Sequence, residues 1–248
     1  MELDRSRLPR HVAVIMDGNG RWAEQRGLSR LHGHRVGKSS VRAIVETSRR
    51  LEIEYLSLFA FSTENWGRPS REVDGLMKLL RSYLASELDR MMKHEIRLLA
   101  IGNTRRLPRP VREVLRSAIA ATKNNTKMTV VLAVSYSGRE EMVGAMRRIA
   151  RLVQRGELDP ARITSDVVDR HLATAGLPDP DLLIRTSGEM RVSNFYLWQI
   201  AYSELYVTDT LWPDFREREY LQALAYYQRR QRRFGRTGSQ VERLRVAN

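Results

Sequence analysis

The sequence predicts a single α/β domain in which a largely parallel six-stranded sheet is flanked by helices. Three observations predict it. Apolar, strand-like stretches alternate with amphipathic helical stretches along almost the whole chain, the pattern of a parallel sheet with helical crossovers. The first of them, Val12-Ala13-Val14-Ile15-Met16, has no polar face, as expected of a strand covered on both sides. No repeat, low-complexity tract or linker divides the 248 residues, so 1–248 reads as one domain, with a core over 8–236 and frayed termini.

Taken in order, the strand at 12–16 breaks into Asp17-Gly18-Asn19-Gly20-Arg21. Val41, Ile44, Val45 and Leu51 then keep helical spacing across 36–50. A second strand over 55–61 runs into Ser62-Thr63-Glu64-Asn65-Trp66-Gly67-Arg68-Pro69, after which Ser70 is the expected N-cap of a helix. That helix carries Val73, Leu76, Met77, Leu80, Leu84, Leu88 and Met91 on one face. A third strand at 96–101 and a helix at about 109–123 follow, then a fourth strand over 128–134. Met142, Ala145, Met146, Ile149 and Val153 mark the next helix. A short helix near 166–174, a fifth strand at 182–185, a sixth at 204–208 and a last helix over about 216–233 complete the chain.

Composition narrows the chemistry. The absence of cysteine excludes disulfides, thiolate nucleophiles and cysteine-ligated zinc. No stretch approaches the roughly 18 apolar residues that span a bilayer. MELDRSRLPRH lacks the apolar centre of a signal peptide, which places the protein in the cytoplasm. A net charge of +14 welcomes polyanions: nucleic acid, anionic lipid or phosphorylated substrates. No nucleic-acid module is recognisable, and the aromatic residues are not spaced as a stacking platform, so nucleic acid is not an expected partner.

The loops at 17–22, 62–68 and 185–193 each follow a strand, and a parallel sheet gathers such loops at its carboxyl edge. They bring Asp17, Asn19, Arg21, Ser62, Glu64, Asn65, Arg68, Arg185, Ser187, Glu189, Arg191 and Ser193 into one region. Arginine forks, hydroxyls and free backbone N–H groups are what a diphosphate needs, and one carboxylate suits magnesium. Asp17-Gly18-Asn19-Gly20 by itself reads as an ordinary Asx–Gly turn. Arg30, His34 and Arg35 precede a predicted helix and can join the same wall. Neither a P-loop nor a full dinucleotide fingerprint is present, and GxSxG and HExxH are missing too. Trp22, Trp66, Trp198 and Trp212 read as packing residues.

HVAVIMDGNGRWA, GHRVG, FAFSTENWGRP, DLLIRTSGEMRVSNFYLWQIAYSELYV and LWPDF together resemble the cis-prenyltransferases, the undecaprenyl diphosphate synthase family, from about residue 9 to 236. The resemblance implies a homodimeric enzyme that joins isopentenyl diphosphate to an allylic diphosphate such as farnesyl diphosphate. Its product would be a long-chain Z-polyprenyl diphosphate, the undecaprenyl carrier precursor of cell-wall synthesis; a short or medium chain is the alternative. The resemblance makes Asp17 the essential aspartate, with magnesium held by Asp17 and Glu204. It assigns Gly18, Asn19, Gly20, Arg21, Trp22, Arg30 and His34 to the allylic diphosphate. Ser62, Thr63, Glu64, Trp66 and Arg68 match the second block, with Asn65 the proton acceptor. Arg185, Arg191, Val192 and Ser193 match the isopentenyl diphosphate site, and Arg233 and Gly235 a C-terminal motif that reaches the partner subunit. The growing hydrocarbon requires an apolar tunnel, for which the Met/Leu face of 73–92 would serve as core and wall. Small Ala60 is similar to long-chain members, and Met128, at a position linked to the tunnel floor, is bulky enough to set a limit. A lipid product also implies peripheral contact with the inner membrane face. Two positions depart from the common pattern: Ser135-Tyr136-Ser137-Gly138 replaces Asn-Tyr-Gly-Gly, and Met190 replaces a metal-associated histidine. A thioether is too soft to bind magnesium well.

Overall fold

A computed structural model describes residues 3–230. Its six strands are β1 (His11–Ile15), β2 (Tyr55–Ser62), β3 (Ile96–Ile101), β4 (Met128–Tyr136), β5 (Leu182–Thr186) and β6 (Glu204–Thr208). They form one sheet in the order β3-β4-β2-β1-β5-β6. Every pairing is parallel. The long helices are α2 (Arg30–Arg50), α3 (Ser70–Lys93), α4 (Arg109–Thr122), α5 (Gly138–Gln154) and α7 (Glu217–Arg229); α1 (Asn19–Glu24) and α6 (Ser165–Asp169) are short.

Alternation along the strands divides the core between the two sheet faces. Val12, Val14, Leu56, Leu58, Leu98, Val130, Leu132 and Ile184 face one side and pack with α2, α3, α4 and α7. Ala13, Ile15, Val131, Ala133 and Leu183 face the other, under Tyr136, Phe195 and Tyr196. β1 and β5 are buried at every position, as the unbroken apolar run requires.

Strand order reverses at β1, which takes β2 on one side and β5 on the other. The crevice beyond the carboxyl ends of β2, β1 and β5 is therefore where an open α/β sheet binds its ligand. Two differences from the expected elements bear on that crevice. Residues 19–24 form α1, too short to show periodicity, and Gly18 enters it at φ +100°, a backbone conformation that glycine adopts without strain. α2 begins at Arg30 rather than 36, because its polar first turns carry no apolar stripe. Arg30, His34 and Arg35 thus sit on the helix, with Arg30 and His34 four residues apart on one face. Ser70 is the first residue of α3, and Pro69 takes the cap position.

Candidate active site

Asp17 leaves the end of β1 under tight backbone control. Its N–H donates to Thr186 Oγ1 at 2.9 Å, and the Thr186 hydroxyl donates to the Asp17 carbonyl at 2.6 Å. One carboxylate oxygen accepts the Gly18 N–H at 2.7 Å, and the other accepts Arg185 Nη2 at 2.8 Å. The Asp17 side chain remains 33% exposed, whereas Arg185 behind it is 6% exposed. Arg185 Nη1 donates to Ser193 Oγ at 2.7 Å and to the Arg191 carbonyl. Its Nε is buried with no partner. A buried guanidinium with a spare donor at the rim of a cleft is a cation prepared for an anion.

These groups line a cleft of about 520 Å³ together with His34, Ser62, Glu64, Asn65, Arg68, Arg191, Ser193 and Asn194. Arg21 stands beside it, 3.2 Å from Glu189 and 3.9 Å from Asp17, and donates to Ser187 Oγ. Arg30 approaches across Gly20, where a Cβ would lie 2.6 Å from the guanidinium carbon. Glu72, absent from the expected site, gathers Arg68 at 3.0 Å and Arg30 at 3.6 Å. Asn65 is fixed by exchange with Ser62: its amide oxygen accepts the Ser62 N–H at 3.0 Å, and its own N–H donates to Ser62 Oγ at 3.3 Å. His34 is held neutral, its pKa lowered to about 4 by burial first and then by Arg68 and Arg30.

Several expected residues have other duties. Trp22 packs beneath Arg26 and donates to Asp214 at 2.8 Å. Trp66 donates to Ser135 Oγ at 2.9 Å and packs edge-on to Phe61. Thr63 turns toward Glu140, and Val192 packs under the far sheet face. Asn19 donates to the Met16 carbonyl at 3.1 Å, leaving a buried, unpartnered amide oxygen. Asn194, which sequence reading did not single out, donates to Glu64 at 2.8 Å and Ser137 Oγ at 2.7 Å. Its φ of +63° fits asparagine's tolerance of the left-handed region, and Arg-x-Ser-Asn was the available signal. Arg233 and Gly235 lie outside the described residues.

Asp17 and Glu204 are not brought together within one chain. Glu204 pairs in register with Leu182, which pairs with Val12, at the amino edge of the sheet. Five strand residues, about 16 Å, separate that level from Asp17, and Glu204 instead binds Arg230 at 2.9 Å. Among the described residues no group of three His, Cys, Asp or Glu could enclose a metal. Asp17 alone still fits magnesium, which is commonly held by one or two carboxylates plus substrate phosphates. Met190 is 89% exposed and donates nothing to the cleft.

An apolar space of about 150 Å³ adjoins the cleft and shares Met16, His34, Phe59, Ala60, Phe61 and Leu76 with it. A further space of about 40 Å³ shares Val41, Leu58, Leu80, Tyr83 and Leu132 with the first. Both lie between the sheet and the α2–α3 pair. Met128 is buried beside Ile96 in the sheet and lines none of the three spaces.

Fold and cleft define an α/β protein built to hold an anionic head group beside an apolar wall. Residues 15–235 match the prenyltransferase family described as "Putative undecaprenyl diphosphate synthase". The chain is 52% identical over 235 residues to an isoprenyl transferase of Geobacter sulfurreducens, covering 95% of this chain and 96% of that one. It is 50% identical to one of Heliobacterium mobile over 234 residues, covering 94% and 90%. Among solved structures, it is similar to lavandulyl diphosphate synthase from Lavandula x intermedia in complex with dimethylallyl diphosphate. There the TM-score is 0.91 at 39% identity, over 93% of this chain and 99% of that one. A probable undecaprenyl diphosphate synthase from Campylobacter jejuni matches with a TM-score of 0.76 at 34% identity, over 92% and 99%. The chain belongs to the undecaprenyl diphosphate synthase family of isoprenyl transferases.

Proposed function

We propose that the protein condenses isopentenyl diphosphate with an allylic diphosphate, farnesyl diphosphate being the expected primer, to make a long-chain Z-polyprenyl diphosphate of the undecaprenyl class. The observation that carries this reading is the sharing of Met16, His34, Phe59, Ala60, Phe61 and Leu76 between the polar cleft and the apolar space. Such a wall suits one ligand with a charged head and a hydrocarbon tail.

The allylic diphosphate lies against Gly18, Arg21, Arg30 and Arg68, with backbone N–H groups at the start of α1 as further donors. Isopentenyl diphosphate takes Arg185, Arg191 and Ser193, where the spare Arg185 Nε meets its phosphate oxygens. Asp17 would hold magnesium together with the substrate's oxygens, and the bound metal would supply charge neutralisation for the departing diphosphate. The allylic C–O bond breaks and its electron pair leaves with the diphosphate. The isopentenyl double bond supplies the pair for the new C–C bond, and a proton leaves the resulting cation. Arginines aimed at the leaving group stabilise charge where it develops, and fixing both substrates contributes by orientation. Asn65, with its amide oxygen oriented by Ser62, passes the proton outward. Neutral His34 donates to a phosphate oxygen without adding charge.

The β6 edge supports a homodimer. Leu205 and Val207 are exposed on that edge strand, and with Met190, Arg185 and Arg191 they line a groove of about 350 Å³. A second copy seated there would border the cleft. Among the described residues no helix is long and apolar enough to cross a membrane. Contact with anionic lipid would be peripheral, driven by the net charge of +14.

A shorter product is the second reading. It is favoured by the small apolar space of about 150 Å³ and by the similarity to lavandulyl diphosphate synthase. The deciding experiment supplies labelled isopentenyl diphosphate and farnesyl diphosphate, with magnesium or with a chelator, and sizes the products. Magnesium-dependent products near about eleven isoprene units are expected from a pocket that positions both diphosphates. Products extended by only about one or two units beyond the farnesyl primer would select the second reading, and none with any allylic primer would overturn both.

A further inference from the structure

The apolar space beneath α2 and α3 ends in a compartment whose lining residues include charged side chains. This last compartment, about 40 Å³, has an almost wholly apolar surface to which Leu84, Met91 and Leu98 contribute, and Arg42, Glu46, Glu87 and Arg90 are among the residues that line it. Glu87 projects from α3 with its side chain 5% exposed. Arg42 of α2 donates to it, and Arg90 Nε lies 3.2 Å from its second oxygen. Arg90 also donates to Glu46 of α2. Four charged side chains from two helices thus close the end of the space remote from Asp17.

The apolar compartments are small for a polyprenyl chain. A cavity of about 150 Å³ holds roughly one benzene, so each added isoprene unit must widen the seam between α2 and α3. Parting two helices across packed hydrocarbon exchanges one apolar contact for another, which a prenyl tail does readily. Parting them across Glu87 takes a buried carboxylate away from its half-exposed arginine partners, and hydrocarbon offers no hydrogen bond in return. A stop of this kind acts through chemistry as well as volume.

We infer that Glu87, clamped between Arg42 and Arg90, limits how long a hydrocarbon chain this protein can build. The inference rests on the prenyl-transfer reading above, and makes Glu87 a specificity-determining residue outside the polar cleft. Sequence reading had expected that limit at Met128, which lies beside the last compartment's Ile96 without lining the space.

The test sizes products from farnesyl diphosphate, excess labelled isopentenyl diphosphate and magnesium, using the full-length protein and three variants. Glu87→Leu removes the ion at similar bulk, Glu87→Gln keeps the volume and removes the charge, and Arg42→Met leaves Glu87 with Arg90 alone. The expected result is a longest product extended by one or more isoprene units in Glu87→Leu, with smaller shifts in the same direction for the other two. An unchanged length distribution in folded variants, with or without a fall in total turnover, would make the cluster a helix staple only and overturn the inference. A shift in Glu87→Leu alone would show that uncharged hydrogen bonding holds the seam and overturn its ionic basis. Should Glu87→Leu lose its circular dichroism signal, the isosteric Glu87→Gln decides. A wild-type protein that makes no prenyl product would instead overturn the underlying function, an outcome distinct from normal products of unaltered length.

Discussion

Charged side chains stand at both ends of the space under α2 and α3, and the two ends treat charge in opposite ways. At the far end Glu87 is covered and answered by Arg42 and Arg90, while Arg90 Nη1 donates to Glu46. At the cleft the account stays open. Arg185 is buried with an unpartnered Nε, Arg191 is 62% exposed, and Asp17 faces the cleft. Buried charge that is fully answered builds a wall; buried charge with a donor left over waits for a ligand. Both ends are Arg–Glu or Arg–Asp chemistry, so residue type alone does not distinguish them.

The strongest way to break this contrast is at Asp17. Asp17→Asn keeps one acceptor oxygen, for either Gly18 or Arg185, turns an NH2 toward the other donor, and removes the hard anion. Turnover is expected to fall by about 10²–10³-fold or more, as when a principal transition-state electrostatic group is lost, with circular dichroism and oligomeric size unchanged. Near-normal steady-state rates in that variant would remove Asp17 from the chemistry and leave the open end without its anchor.

A smaller effect is expected at Arg185. Arg185→Lys keeps the charge and loses the fork that spans Asp17, Ser193 and the spare Nε direction. A hydrogen bond to a charged group contributes about 1.5–3 kcal/mol, so KM for isopentenyl diphosphate should rise about 10–100-fold. The allylic KM should stay near its wild-type value. Equal loss for both substrates would mean that Arg185 supports the sheet edge rather than one diphosphate.

Much of this was legible beforehand, for identifiable reasons. Strand positions followed from apolar runs, and β3 and β6 match their expected bounds. The three loops converge because a parallel sheet places them on one edge. What escaped was whatever periodicity does not encode. α1 is too short to show it, and the first turns of α2 are polar. Glu72, in the first turn of α3, ties Arg30 to Arg68, a link that no sequence spacing encodes. Glu204 looked like a companion to Asp17, but register places it at the opposite edge, because motif order along a chain carries no information about height on a strand. Glu87 sat unnoticed among the polar positions of an amphipathic helix; only the partner helix reveals that it is covered.

The gentlest test compares two histidines. His11 is buried, between the Pro178 carbonyl and Ser57 Oγ, and burial lowers its pKa to about 4. His34 reaches the same value at the cleft, by burial and then by its cationic neighbours Arg68 and Arg30. In both, the unfolded chain takes up a proton near 6.5 and the folded chain only near 4. Each therefore contributes stability that is complete above pH 6.5 and is lost as pH falls toward 4, at up to about 1.4 kcal/mol per pH unit. Free diphosphate separates them. An anion beside Arg30 and Arg68 cancels the charges that hold His34 down, so its pKa should rise by about one unit, while that of His11 stays where burial put it. Histidine NMR titrations with and without inorganic diphosphate measure this directly. If both histidines move together, the change is global; if neither moves, the anion does not sit where the open charges point.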